Sequence, residues 1–199
     1  MLPNRIHLPA PLDSSIVSIE QVLLSRRSVR EFSARPLEFS HVSQLAWAAQ
    51  GISGPDHRTA PSAGALYPLN VCLAAGKVLH LRSGIYNYDS QNHDLMLVFE
   101  GDKRRELSEA ALSQTSILDA AAVFAISAVY KRTTSKYGER GIRYVHMEAG
   151  HSAQNLLLQA AALGLGSVLV GAFSDDRVRE VLMLNADEAP LYLIPVGKP

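Results

Sequence analysis

Apolar residues recur every three or four positions between residues 142 and 163, at Val145, Ala149, Ala153, Leu156, Leu157, Ala160 and Leu163. That period predicts a helix with one wide buried face, and Gly164 stands where such a helix stops. Ala149, Gly150, Ser152 and Ala153 are small enough to let a second helix come close. The same period appears in Ile16, Ile19, Val22 and Leu23, with Ser14 or Ser15 as cap. It appears again over residues 37–50, with Val42, Leu45, Ala46 and Ala49 inward and Ser40 as cap. Residues 102–112 predict a polar-faced helix. Ser174 is placed to cap a short one whose first turn holds Asp175 and Asp176, where the helix dipole favours carboxylates.

Between these lie short apolar runs of strand length: residues 69–75, 78–81, 85–88, 95–99, 166–170 and 191–196. The turns among the first four are too tight for crossovers and predict antiparallel hairpins. Residues 119–130 form a β-branched and aromatic run that reads as a central strand, although its alanines leave a helix open. Residues 131–141 follow as a polar loop. Helices and short strands mix without a strand–helix alternation, so the fold class is α+β, a mainly antiparallel sheet flanked by helices. Residues 1–14 predict an arm, and residues 15–199 a single domain.

Composition narrows the field. The chain has 19 basic and 19 acidic residues, so nothing draws it as a whole to nucleic acid or an anionic membrane. No apolar run is long enough to span a membrane, and the first five residues hold no signal-peptide core. A cytoplasmic protein is expected. Cys72 is the only cysteine and sits in an apolar run, which predicts an inert buried thiol. His146 and His151 are five positions apart, hence about 140° apart around a helix. They predict packing histidines, and no metal site is expected. Trp47 reads as core or interface; Tyr86 and Tyr88 share a strand face and read as packing. Phosphate-loop, dinucleotide-fold, nucleophile-elbow and zincin motifs are all absent.

Three stretches carry candidate chemistry. Arg26, Arg27 and Arg30 surround Ser28 just past the first helix. Guanidiniums are permanently charged and offer planar forks of donors that suit phosphate oxygens, so this stretch predicts a phosphate cradle. A solvated helix end whose cations offset the C-terminal dipole fits the same residues. Residues 59–68 place Ala60, Ser62, Ala63, Gly64 and Ala65 between two prolines, and small side chains let a backbone approach a planar ligand closely. Lys136 and Tyr137 lie in the polar loop that leaves the central strand, a common location for reactive groups.

Taken in order, Arg26-Arg27-Ser28-Val29-Arg30-Glu31-Phe32, Ala60-Pro61-Ser62-Ala63-Gly64-Ala65-Leu66-Tyr67-Pro68, Gly164-Leu165-Gly166-Ser167 running to Gly171-Ala172-Phe173, and Pro195-Val196-Gly197-Lys198-Pro199 resemble the FMN-dependent nitroreductase superfamily. Tyr86-Asn87-Tyr88-Asp89, Lys136-Tyr137-Gly138-Glu139-Arg140-Gly141 and Glu148-Ala149-Gly150-His151 are similar to its SagB-type dehydrogenase branch, which includes oxidases of thiazoline and oxazoline rings. The resemblance implies a homodimer with the long helix at its interface and two FMN sites there. Arg26, Arg27, Ser28 and Arg30 would hold the phosphate and ribityl chain, with Lys198 reaching the phosphate. Ser62, Ala63, Gly64 and Tyr67 would come from the partner subunit and line the flavin. Leu169, Val170 and Gly171 would lie by the ring. Lys136 and Tyr137 would take the catalytic role, Lys136 as the base that removes a ring proton from a heterocycle in a small molecule or peptide. A lysine acts as a base only when neutral, and Arg132 and Arg140 are the candidate cations to favour that form. A nitro- or quinone-reductase using NAD(P)H is the competing enzyme reading, and a flavin-binding module without turnover the third.

Overall fold

A computed structural model describes residues 5–199. In chain order its elements are β1 (Arg5–His7), α1 (Ile19–Ser25), α2 (Phe39–Gln50), β2 (Ile52–Gly54), β3 (His57–Arg58), a single 3-10 turn (Ala63–Ala65), β4 (Leu69–Ala75), β5 (Gly84–Asp89) and β6 (Asp94–Glu100). There follow α3 (Arg104–Ala110), α4 (Thr115–Asp119), β7 (Ala122–Ala128), α5 (Lys131–Tyr137), α6 (Arg140–Ala162), β8 (Gly166–Ser167), α7 (Asp175–Leu182) and β9 (Ala189–Gly197). Seven strands form one sheet in the order β1-β6-β5-β4-β7-β9-β8. Every neighbouring pair in it is antiparallel. The fold is α+β, as the patterning predicts.

Both faces of the sheet are covered. On β4, Leu69, Val71 and Leu73 point to the side of α2 and α6, while Cys72 and Ala74 point to the side of α3, α4 and α7. On β7, Phe124 and Ile126 join the first group and Val123 and Ala125 the second. A strand buried on both faces needs no polar alternation, which is why residues 122–128 read as one continuous apolar run. They form a strand, which closes the helical alternative. Cys72 is buried in the second layer, and desolvation pushes its thiol up to about 12.

The small residues of α6 admit α2: Ser152 Oγ donates to the Ala49 carbonyl at 2.8 Å. Gly164, at φ +68°, ends α6 in a Schellman turn. Leu165 N–H donates to Ala160 O at 2.8 Å and Gly164 N–H to Ala161 O at 3.0 Å.

Several expectations are corrected. Ser18 caps α1 in a reciprocal capping box with Gln21, in place of Ser14 or Ser15. Glu38, not Ser40, is the N-cap of α2. Residues 78–81 make one parallel bridge, Val78 to Leu37, and no strand. Residues 131–137 are helical, because the polar side chains face outward while Thr133 is buried. The predicted strand 166–170 is regular only at Gly166 and Ser167, with a single further bridge from Val170 to Leu193. His146 pairs with the Tyr130 hydroxyl at 2.6 Å, but His151 is exposed rather than packed.

Residues 1–4 of the expected arm lie outside the described residues. Residues 5–7 are no loose arm: they add an edge strand to β6. Residues 9 and 12 are tied to α2, where Gln44 exchanges hydrogen bonds with Leu12 at 2.8 and 3.0 Å and Ser43 donates to Pro9 O.

The segment after α1 crosses the ends of β8 and β9. Val29 N–H donates to Ser167 O at 3.0 Å and Ser33 N–H to Lys198 O at 2.8 Å. The approach is so close that a Cβ on Gly166 would meet Val29 Cγ1 at 2.6 Å, and one on Gly197 would meet Phe32 at 2.9 Å. Val29 is β-branched and stiff, so Gly166→Ala forces a backbone shift. It should destabilise the fold by about 1–3 kcal/mol, read as a lower urea midpoint at unchanged m-value.

Candidate active site

The crossing segment brings together residues far apart in sequence. Ser28 forms a parallel bridge with Ser167, and Lys198 lies beside Ser33. Arg26, Arg27, Ser28 and Arg30 thus sit at one corner with residues 166–171 and the end of β9. Arg27 and Arg30 are exposed and Arg26 half-buried. None of the three has a carboxylate within 4.0 Å among the described residues. Arg27 donates to the Leu24 and Arg26 carbonyls at 2.8 Å each, the behaviour of a helix-end cation. Arg26 and Arg30 keep their forks free. Lys198 Nζ lies 3.8 Å from Glu38, which offsets part of its charge. The Val170 side chain is buried in the core and its N–H and C=O are both paired with Leu193, so it offers no free donor or acceptor; Gly171 is exposed and Leu169 half-buried. An unneutralised cationic corner next to accessible backbone fits a phosphate with a flat ring attached.

A second group forms around residues 62–67. Gly64, Ala65 and Tyr67 have φ of +65°, +54° and +44°. For Ala65 and Tyr67 this left-handed region costs about 1–2 kcal/mol each, and such strain persists only where the surroundings enforce it. The enforcing contacts are specific. Tyr67 N–H donates to Ser62 Oγ at 2.9 Å, the Tyr67 hydroxyl donates to Asp56 O at 2.8 Å, and Arg132 donates to Tyr67 O at 3.3 Å and to Asn70 Oδ1 at 3.0 Å. Facing the turn are the two catalytic candidates. A Cβ at Gly64 would lie 2.8 Å from the Tyr137 hydroxyl and 3.1 Å from Lys136 Nζ. Tyr137 also packs edge-on against Tyr144, and Arg140 lies over the Tyr144 ring. Of the expected cations, Arg132 is thus engaged with residues 67 and 70, and Arg140 with Tyr144.

Behind this loop lies a group that residue spacing did not single out as chemistry. Glu148 is 3% exposed, Arg58 sits over the Tyr67 ring at 4.6 Å, and Gln50 accepts from Arg58 at 3.0 Å. Burial raises the Glu148 carboxyl to about 7, against the opposing pull of the Ser62 hydroxyl and the Arg58 charge. Its signal was present: Glu148 falls three residues after Val145 and four before Ser152, inside the apolar stripe of α6. Arg58 left no comparable trace.

The cationic corner and the loop group share no hydrogen bond or ion pair among the described residues. They are two separate groups on one chain.

A family model described as the nitroreductase family matches residues 23–198. The chain belongs to the nitroreductase family. That family is a group of flavin-dependent oxidoreductases, and this member is an enzyme of that kind. A Methanocaldococcus jannaschii protein bearing the nitroreductase name is 44% identical over 195 residues, 98% of this chain and 96% of that protein. A crystal structure from Anabaena variabilis with the same designation superposes at a TM-score of 0.86 with 32% identity, covering 98% of this chain but only 41% of that longer one. The trifolitoxin operon protein TfxC of Rhizobium leguminosarum bv. trifolii is 25% identical over 193 residues, 88% of this chain and 54% of TfxC. Among the described residues no helix is long and apolar enough to cross a membrane, and no cluster of potential metal ligands occurs.

The Glu148 assignment bears on stability. The carboxyl binds its proton more tightly folded, at about 7, than at its ordinary 4.5. Its contribution is therefore full below pH 4.5 and is lost as pH rises to about 7. Glu148→Gln should flatten that part of the unfolding free-energy profile, a change on the order of 3 kcal/mol, read by urea titration at pH 5 and pH 8.

Proposed function

We propose that this nitroreductase is a homodimeric, FMN-dependent dehydrogenase of the SagB type that oxidises an azoline ring to the azole in a small molecule or peptide. The observation that carries the reading is the strained Gly64 turn set directly against the Lys136 ammonium and the Tyr137 hydroxyl. The relationship to a trifolitoxin operon protein supports it.

In this reading Arg26, Arg27, Ser28 and Arg30 bind the FMN phosphate and ribityl chain as charge-assisted and neutral donors, with Lys198 adding a second-rank cation. The backbone of residues 169–171 borders the ring. Ser62, Ala63, Gly64 and Tyr67 of a second copy close over it, where the missing Gly64 side chain keeps the face flat. Bound FMN supplies the hydride acceptor. Lys136 Nζ takes the proton from the carbon adjoining the azoline ring nitrogen, and Tyr137 orients the lysine and the heterocycle. Lys136 is exposed in the single chain. Covering by substrate and a second subunit removes water from it and favours the neutral form a base needs.

The M. jannaschii relative's name favours a second reading, a nitro- or quinone-reductase that takes its electrons from NADH or NADPH. In that reading Lys136 is dispensable. A cytoplasmic location goes with either.

Arg30→Ala should yield a folded but colourless protein, with flavin affinity down at least tenfold by fluorescence quenching; a full yellow spectrum overturns the cradle. Lys136→Ala should keep its flavin and lose azoline oxidation by about 10²–10⁴-fold. Stopped-flow bleaching by NADPH, with none by azolines and no effect of Lys136→Ala, would move the assignment to the reductase.

A further inference from the structure

Glu148 lies in the inward stripe of α6, and its Oε1 has no hydrogen-bond partner among the described residues. Arg58 Nε and Gln50 Nε2, in the same buried group, are likewise without partners. Buried polar atoms left this way are rare, and each calls for an explanation. The pattern here has a direction. Ser62 Oγ accepts from the Tyr67 N–H at 2.9 Å. That leaves the Ser62 proton for Glu148, whose ionised form this hydroxyl favours. Arg58 holds the other side, stacked on the Tyr67 ring and bonded to Gln50. Pro61, Ser62, Ala63, Tyr144, Met147, Glu148 and His151 line one cavity of about 310 Å³ at this point.

We propose that Glu148, acting through the Ser62 hydroxyl, is the positioning residue that holds residues 62–67 in their left-handed shape and so keeps Gly64 against Lys136 and Tyr137. The role in catalysis rests on the function proposed above; the mechanical role does not. Ala65 and Tyr67 would relax toward ordinary backbone angles unless their contacts forbid it. The Ser62 bond to the Tyr67 amide spans the turn, and an acceptor behind Ser62 fixes the hydroxyl in the one rotamer that serves that amide. A carboxylate does this better than a carboxylic acid, because a hydrogen bond to a charged acceptor is roughly twice as strong as a neutral one.

The device therefore responds to pH. The charged group acting on Glu148 is Arg58 on β3; Tyr144 and His151 on its own helix line the same cavity, and α2 offers the neutral Gln50 bonded to Arg58. Burial places the Glu148 titration near 7. The loop is firm above that pH and looser below it.

Hydrogen exchange at the Tyr67 amide, corrected for its intrinsic pH dependence, reads this without turnover. In the full chain as purified, protection should rise about three- to tenfold from pH 6 to pH 8, the range of one net hydrogen bond. In Glu148→Gln it should be flat across that range. In Ser62→Ala it should be low at every pH, and the double variant should lose nothing further. Wild-type protection that ignores pH, or Glu148→Gln that keeps the wild-type rise, overturns the proposal. If Glu148→Gln does not fold, the wild-type and Ser62→Ala profiles decide it alone. A responsive amide in wild type beside full azoline oxidation in Lys136→Ala would leave the loop assignment standing and remove the reaction. An unresponsive amide beside an inactive Lys136→Ala would do the reverse.

Discussion

The docking of residues 28–33 across the ends of β8 and β9 fixes where every cation of the corner can stand. It needs two backbones at van der Waals distance, and the chain supplies that by leaving out side chains at Gly166 and Gly197 while Val29 and Phe32 fill the space. The hydrogen bonds from Val29 to Ser167 and from Ser33 to Lys198 then lock the register. Once that register is set, Arg26 and Arg30 have no carboxylate within 4.0 Å among the described residues. Guanidiniums with free forks meet an anion with several donors in one fixed plane, so less side-chain entropy is lost per hydrogen bond formed.

The loop group works on the opposite principle. Its backbone is held in an unfavourable region by contacts from Asp56 in the β2–β3 turn, Arg58 on β3 and Arg132 on α5, with Glu148 on α6 behind Ser62. Strain of this size cannot be sustained by one hydrogen bond, whose net worth is about 1 kcal/mol. It takes the set. The burial of Glu148 costs stability above neutral pH, so a hydrophobic residue at that place would make a more stable protein. Retaining a carboxylate there is understandable if the ionised group does something a methyl cannot, and Ser62 is the partner that needs it.

How much of this was legible in the chain follows from which forces decide each part. The long helix, the strands 69–75 and 85–88 and the α+β class were readable because burial alone sets their period. The double burial of β7 was readable for the same reason: nothing polar interrupts it. The start of α1 was misplaced because three serines precede it, and only Ser18 has Gln21 three residues on to complete the box. Residues 131–137 were misread as a loop because polarity was taken for irregularity, when a short helix on the surface needs only one inward residue, Thr133. Strand β1 has no local signal because Arg5 and His7 are charged or polar; Arg5 pairs with the buried Asp94 and His7 Nδ1 lies against the same carboxylate, a partner 87 residues or more away that no local pattern reveals. The arginine corner and the Gly64 turn are legible in composition, but their separation into two groups follows only from the family resemblance, since spacing in sequence says nothing of which residues meet.

That separation has a physical reading. α1, which leads into the cationic corner, leaves Ile19, Leu23 and Leu24 exposed, Leu24 at 76%. α6, which carries Glu148, leaves Met147 exposed beside Ser62 and Ala63. The apolar group on α1 is of the kind that marks an interaction surface. In the proposed dimer one such face meets another, and the anchor of one chain comes under the strained loop of the next. The arrangement divides the labour. In that dimer one half-site would supply charge on a fixed backbone, and the other a reacting pair on a loop held by several contacts, one of which answers to the proton at Glu148. The alignment of Lys136 and Tyr137 would then follow the Glu148 proton near neutrality, while the guanidiniums of the corner keep their charge throughout.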